Sequence, residues 1–335
     1  MPKKVLVTGA TGFVGSHVLA ALAAAPVEVV AACRDAARLP RDFAGTVRIG
    51  DLRDEAYVDA LPEGVDTVIH AAAWSSLYGN RENAEALYLR PTIRLIDAIG
   101  RHGVSRFLFP GTHGAAPPGA GHDARTPGRA PAYWPHLGVV VAIEDEMRRR
   151  AGEHLAMVVL RLGLFVGENY SLGLLPILTH RLKTRLVPWI DGGRPPMPLI
   201  DGADIGEAFC LAALAEGLAG YEAFNILGPT VPTMRDLVTY LNVRHGYPLP
   251  HFSVPFALAF PFAKLVRALD PVMPFEPLIV PAIIHLLQDF GVDNAAAEAR
   301  LGYRPRVAWQ DAVDRQLAEM AERQTAPMSM VKALG

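Results

Sequence analysis

Apolar and polar positions change their period along the chain, and the changes mark its elements. Residues 3–9, KKVLVTG, form a short β-branched run that predicts a strand, and the Ala/Leu-rich stretch 13–25 predicts a helix. Further strands are predicted at 27–34, 46–52, 66–73 and 105–111, with apolar residues at helical spacing over 82–102. The strands are almost continuously apolar, as strands covered by helices on both faces are. The repeating βαβ order predicts an α/β fold, a Rossmann-like doubly wound parallel sheet. Residues 110–135 are rich in Pro and Gly, a connection long enough in a compact domain to be functional or mobile. A helix over 136–151 and a strand over 156–163 follow. Past 170 the pattern loosens into a turn-rich stretch, a short strand and a helix that starts near Gly202, with Asp204 as its cap. Residues 250–288 are apolar but cut by Pro255, Pro261, Pro271, Pro274, Pro277 and Pro281. They read as short helices, either a lid or pocket wall, a membrane-surface face, or the packing of a small second domain. The expected division is 1–168, a smaller mixed α/β region at 169–325 interleaved with the first, and a tail at 326–335.

Composition narrows this further. The 335 residues are 51% hydrophobic and 20% charged, with net charge −2, so a large core is affordable and no polybasic surface for nucleic acid is expected. Two distant cysteines, Cys33 and Cys210, suit a reducing compartment better than a disulfide framework. The apolar start breaks at Gly9, too early for a signal peptide, and no run of 18 apolar residues predicts a membrane span. A cytoplasmic protein is expected, without a metal site. There are 27 arginines but five lysines, with none between residues 5 and 182.

TGATGFVGSHV (8–18) joins the first strand to the first helix, and Gly9, Gly12 and Gly15 are spaced GxxGxxG. Such glycines allow a sharp turn, the approach of backbone N–H groups to a pyrophosphate, and close packing of helix on strand. Thr11, Phe13 and Val14 fill the same turn. At the tip of the second strand, a carboxylate would bind a ribose hydroxyl and an arginine a 2′-phosphate. Arg34 and Arg38 favour NADP, while Asp35 leaves NAD open.

With these residues the chain resembles the extended short-chain dehydrogenases/reductases, of the NAD-dependent epimerase/dehydratase and hydroxysteroid-dehydrogenase-like group. TGATGFVG matches the family's TGxxGxxG, GDLRD its acid-Leu pair, and HAAA its HxAA strand end. RLGLFVG (161–167) resembles RPGxxYG, LIDGADIGEAF the HVxDVAxA stretch, and LGYRPRVAWQDAV the C-terminal LGYxPxxxxxxGL. The resemblance runs over nearly the whole chain. It implies that Asp51 and Leu52 flank the adenine, that Ala71, Ala72 and Ala73 line the cofactor, and that Leu164 lies near the nicotinamide. It also implies that the region after 168 binds substrate, and that the chain pairs as a homodimer through helices near 86–102 and 136–151, where Val139, Val140 and Ile143 form an apolar stripe.

In this family a Ser/Thr holds the substrate oxygen, a Tyr moves the proton, and a Lys four residues later holds the ribose and lowers the Tyr pKa. Here Thr112 stands for the hydroxyl and Tyr133 for the tyrosine. Leu137 occupies the lysine position, and no Tyr-x-x-x-Lys exists in the chain. Tyr88 replaces an asparagine, Pro91 a small residue, and Leu162 the proline of RPG. Pro135 sets the helix start, leaving Tyr133 outside it. A histidine is the substitute helper, with His136 and His113 as the leading candidates and His70 and His122 on nearby elements. The expected function is an NADP-dependent oxidoreductase acting on a carbonyl or secondary alcohol of a small, apolar, secondary-metabolite-like substrate. The alternatives are a non-redox isomerase, cyclase or dehydratase on the same scaffold, and a non-catalytic NADP-binding sensor.

Overall fold

A computed structural model describes residues 2–77, 80–117, 123–170, 173–268 and 280–325. The 326–335 tail and His122 lie outside these residues. Seven strands make one parallel sheet: β1 (Lys3–Thr8), β2 (Val27–Cys33), β3 (Thr46–Ile49), β4 (Thr67–His70), β5 (Arg106–Thr112), β6 (Ala156–Leu162) and, far along the chain, the strand Tyr221–Ile226. Three short strands come between the last two: β7 (Leu164–Val166), β8 (Trp189–Ile190) and β9 (Leu199–Asp201). Tyr221–Ile226 is therefore β10, and Ser253–Val254 is β11. The sheet order is β10-β6-β5-β4-β1-β2-β3, so the strand order reverses between β4 and β1. Ligands of open α/β sheets bind outside the strands' carboxyl ends at such a switch point.

The helices are α1 (Phe13–Leu22), α2 (Glu55–Ala60), α3 (Arg81–Ala84), α4 (Arg90–Arg101), α5 (Pro135–Arg150), α6 (Leu174–Lys183), α7 (Gly202–Leu214), α8 (Met234–His245), α9 (Phe256–Ala268), α10 (Pro281–Leu286), α11 (Ala295–Leu301) and α12 (Trp309–Thr325). One face of the sheet is covered by α1 and α7, with Val5, Val18, Leu160, Phe209 and Phe224 in the core. The other is covered by α4 and α5, with Leu6, Leu95, Phe107, Ile143 and Val159. Residues beyond 169 divide between two bodies. β10, α7 and α11 complete the sheet and its first face, while α6, α8, α9 and α12 enclose a core of their own around Leu237, Ala263 and Val313.

Three details depart from the sequence pattern. Helix α7 is capped by Asp201, whose carboxylate accepts from the Ala203 N–H at 2.8 Å. Asp204 instead accepts from the backbone N–H groups of Arg306 and Val307, tying down the segment before α12. Between α3 and α4 the chain stays helical but widens to a π-turn over Glu85–Leu89. Pro91 explains this, because it lacks an N–H and its ring crowds the preceding turn. The stripe Val139, Val140, Ile143 faces the chain's own core and is at most 4% exposed. It is spent on intramolecular packing and offers no apolar face to a second copy.

Candidate functional site

The glycine turn leaves β1 at the sheet's carboxyl edge. Gly9 has φ +62°, and a Cβ there would lie 2.6 Å from the backbone of Ala72. A Cβ on Gly15 would lie 2.1 Å from the Gly9 carbonyl oxygen. Both positions therefore require glycine, one for its conformation and both for close approach. The Gly12 N–H closes the turn on the Gly9 carbonyl at 2.9 Å. Helix α1 begins with no side-chain cap and no acidic residue in its first turn. Its orphan N–H groups and positive dipole end thus face the switch point, which suits a pyrophosphate. The cradle fits a dinucleotide. Val14 is buried beneath it, Thr11 is half-buried, and the Phe13 ring packs on Tyr170 and Phe165 at 4.6 and 5.5 Å.

The neighbouring loop 71–73 is held from below by a directed hydrogen-bond chain. The Thr92 hydroxyl donates to the Tyr88 carbonyl at 2.7 Å, so it accepts from His70 Nε2 at 2.9 Å. His70 Nδ1 then accepts from the Thr8 hydroxyl at 2.8 Å, and Thr8 Oγ1 accepts from the Ala72 N–H at 3.4 Å. Both His70 nitrogens are committed, and burial pushes its pKa down to about 3. His70 is thus a neutral strut that sets the loop facing Gly9.

At the tip of β2, the Asp35 carboxylate accepts from the Ala37 N–H at 3.0 Å and caps the short turn Ala36–Arg38. Arg34 and Arg38 are exposed beside it. Asp51 is gripped by Arg53, whose Nε lies 3.0 Å from Oδ1 and whose terminal nitrogen lies 2.6 Å from Oδ2. These bonds, with the nearby charge of Arg34, lower the Asp51 carboxyl to about 2. Leu52 packs against the core of the α4/α5 face, and the Leu164 N–H donates to the Pro198 carbonyl at 2.7 Å.

The chemical corner lies two strands along the same edge, where β5 ends. Thr112 Oγ1 accepts from the Gly114 N–H at 3.2 Å, which leaves its own hydrogen to donate. Tyr133 precedes α5, which starts at Pro135. Its ring faces Phe260 of α9 at 5.9 Å, and its hydroxyl lies 3.4 Å from Nδ1 of His285 in α10. His285 Nε2 donates to the Gly114 carbonyl at 2.8 Å. Thr112, Gly114, His285 and Tyr133 therefore form one connected polar path. Burial raises the Tyr133 phenol and lowers the His285 imidazole from their ordinary values.

The other predicted helpers have other neighbours. His136 stacks on Tyr88 at 5.8 Å, lies 6.4 Å from Trp134, and its buried Nδ1 has no partner. Pro135 separates it from Tyr133, as the break in the helix implies. His113 Nδ1 donates to the Leu162 carbonyl at 3.1 Å, and its buried Nε2 is unpartnered. His113 also lines a cleft with Pro198, Val231, Gln288 and Phe290. Burial lowers both histidines to about 4. Leu137, four residues after Tyr133, is fully buried among Ala115, Trp134, Val280 and Ala282. Lys183 lies over the Tyr247 ring and Lys264 is exposed on α9.

Two features escaped sequence reasoning. His285 sits in PAIIHLLQ, where its only visible signal was a polar pair at i and i+3, with Gln288, inside an apolar run. The second is a fully buried ion pair behind Thr112, with Arg161 2.6 Å from Glu144. A Cβ on Gly111 would lie 2.7 Å from the Glu144 carboxylate, so glycine at 111 makes room for the pair.

The fold and the glycine cradle together define a dinucleotide-binding enzyme of the dehydrogenase type. Residues 5–226 match the sequence model of the NAD dependent epimerase/dehydratase family, and the chain belongs to that family. It is similar to a 4-hydroxy-2-methyl-3-oxo-4-farnesyl-3,4-dihydroquinoline-1-oxide ketoreductase of Stigmatella aurantiaca, 25% identical over 93% of this chain and 95% of the other. It is also similar to sterol demethylase protein B of Methylococcus capsulatus, 26% identical over 92% and 96%. In structure it resembles Thermus thermophilus UDP-glucose 4-epimerase in complex with NAD, with TM-score 0.68 and 21% identity over 96% and 100% of the two chains. Among the described residues, no helix is long and apolar enough to cross a membrane.

Proposed function

We propose that this protein is an oxidoreductase, with NADP preferred over NAD, that interconverts a ketone and a secondary alcohol on a small apolar substrate. The observation that carries the reading is the convergence of the Gly9–Gly15 cradle and the Thr112–Tyr133 corner on one edge of the sheet. When bound, the nicotinamide supplies or accepts the hydrogen and electron pair at carbon. The chain's part is to hold the oxygen through the Thr112 hydroxyl and to move its proton through Tyr133. Phe260 and Trp134 give this corner an apolar wall, which excludes water and suits an apolar substrate. The two relatives matched nearly end to end carry farnesyl-quinoline and sterol names, which supports the same substrate class. NADP preference is supported by Asp35, engaged in its own turn, and by the exposed pair Arg34 and Arg38. Residues 169–325 then serve as the substrate side, through α9 and α10.

The test is binding of NADPH and NADH to the purified protein, followed by turnover of prenylated and steroidal ketones and alcohols. Reduced-nicotinamide absorbance that changes in step with product supports the reading. Conversion without that change would mark a non-redox isomerase or dehydratase. Binding without any conversion would mark a sensor.

A further inference from the structure

A tyrosine that moves protons near neutral pH needs a partner, because a free phenol titrates near ~10. Position 137 supplies none, since Leu137 is buried in an apolar cluster. The His285 ring, 152 residues further along the chain, stands beside the phenol instead. Its contacts settle its tautomer. The Gly114 carbonyl only accepts, so the nitrogen 2.8 Å from it, Nε2, carries the hydrogen. Nδ1 therefore presents a lone pair. The Gln288 side-chain amide approaches it at 3.1 Å and the Tyr133 hydroxyl at 3.4 Å. The second distance is long for O–H···N, and catalytic hydrogen bonds commonly tighten when substrate binds. Trp134 and Phe290 enclose the ring at 5.8 and 5.5 Å. Among the described residues, the titratable groups facing it are Tyr133 and His113, and a charge on His113 opposes a second one at His285. Burial disfavours the charged form of the ring, and the Nδ1 lone pair faces both the Gln288 amide and the Tyr133 hydroxyl.

We propose that His285 is the positioning residue and proton acceptor of Tyr133, acting from the C-terminal region in place of a lysine at 137. This rests on the oxidoreductase reading above. In alcohol oxidation the substrate O–H bond breaks, and its proton passes to Tyr133 Oη as the Tyr133 proton passes to His285 Nδ1. A bound nicotinamide dinucleotide supplies the acceptor for the carbinol hydrogen and its electron pair, so the C–O single bond becomes a carbonyl. The imidazolium then loses its Nδ1 proton to solvent. Reduction runs the same path backwards and needs His285 protonated. Oxidation is thus favoured as pH rises through the His285 pKa, and reduction as it falls.

The first test uses the full chain without dinucleotide. Imidazole nitrogen NMR, assigned with His285→Gln, is expected to show a neutral His285 protonated at Nε2. Its titration midpoint should move in Tyr133→Phe. The second test is the pH profile of alcohol oxidation. The wild type should lose kcat on acidification, whereas His285→Gln should lose that limb and run about 10²-fold slower, with dinucleotide affinity unchanged. Glutamine can still donate to Gly114, and a melting curve checks the fold. If His285→Gln does not fold, the His285 response to Tyr133→Phe decides alone. A His285 midpoint indifferent to Tyr133→Phe, or a His285→Gln enzyme with wild-type rate and profile, overturns the proposal. If instead the protein binds no dinucleotide and oxidises no alcohol, the oxidoreductase reading falls, and the NMR coupling still judges the pair.

Discussion

The cofactor end and the chemical end of the site lie on the same sheet edge but are built differently. The cradle comes from seven consecutive residues, Gly9 to Gly15, closed by their own backbone contacts and seated against Ala72 and the Ala32 carbonyl. The chemical corner is assembled from Thr112, Tyr133 and His285, carried by a strand end, a loop and a short helix of another lobe. A local device tolerates change elsewhere in the chain but no change in its own residues. A corner assembled from afar can exchange a member, provided that another segment brings equivalent chemistry to the same point. Under the proposed reading, that difference accounts for a chain that keeps TGxxGxxG while carrying leucine four residues after Tyr133.

The largest effect should come from the corner. Tyr133→Phe keeps the packing on Phe260 and removes one hydroxyl. It should lower kcat by about 10² to 10⁴ with unchanged dinucleotide affinity, measured by steady-state kinetics and cofactor fluorescence. Normal turnover would remove Tyr133 from the chemistry.

Leu137→Lys tests whether the missing lysine can be restored. It places an ammonium among Ala115, Trp134 and Val280, so stability should fall by about 3 kcal/mol or more, read by urea unfolding, without a gain in rate. A stable and faster variant would show that the corner still has room for the family's arrangement.

Gly15→Ala is the matching test at the cradle. Its methyl meets the Gly9 carbonyl, so the turn must open. We expect a loss on the order of 1–3 kcal/mol of stability and at least about a tenfold weaker dinucleotide affinity. A variant that binds as tightly as wild type would mean that the turn is less rigid than its contacts indicate.

Acid should act on the contacts made at long range. His113 and His136 have folded pKa values of about 4 and His70 of about 3, all below the ~6.5 of an unfolded histidine. The unfolded state therefore binds more protons between those values. Stability is full above ~6.5 and falls on acidification toward 4, by up to ~1.4 kcal/mol per pH unit for each histidine. Melting temperatures across that range check the slope. Asp51, at about 2, stays ionised throughout.

The smallest effect concerns cofactor choice. Arg34→Ala should weaken NADPH binding about tenfold and leave NADH nearly unchanged, as titrations would show. Equal losses for both would assign Arg34 to the shared part of the dinucleotide.

Much of this molecule was legible in one dimension. The strand–turn–helix at 3–25, the parallel sheet and the Gly9–Gly12–Gly15 turn depend on periodicity and on backbone conformations that few residues adopt, and both are written locally. The position of Pro135 predicted a Tyr133 outside its helix, because proline acts on its immediate neighbours. What stands beside the Tyr133 phenol was not legible. His285 reaches Tyr133 only when α10 folds over the end of β5, and an apolar run cut by prolines does not encode where it docks. The same holds for the Arg161–Glu144 pair and for Asp204, whose partners are Arg306 and Val307 rather than its own helix. The stripe Val139–Val140–Ile143 showed that one helix face is apolar, but an apolar face does not record whether it meets its own sheet or another chain. The sequence by itself determined the elements, the nucleotide turn and the leucine four residues after Tyr133, because these rest on neighbours in the chain. Tertiary structure alone decided which distant side chain stands beside the phenol, because that depends on how whole elements pack.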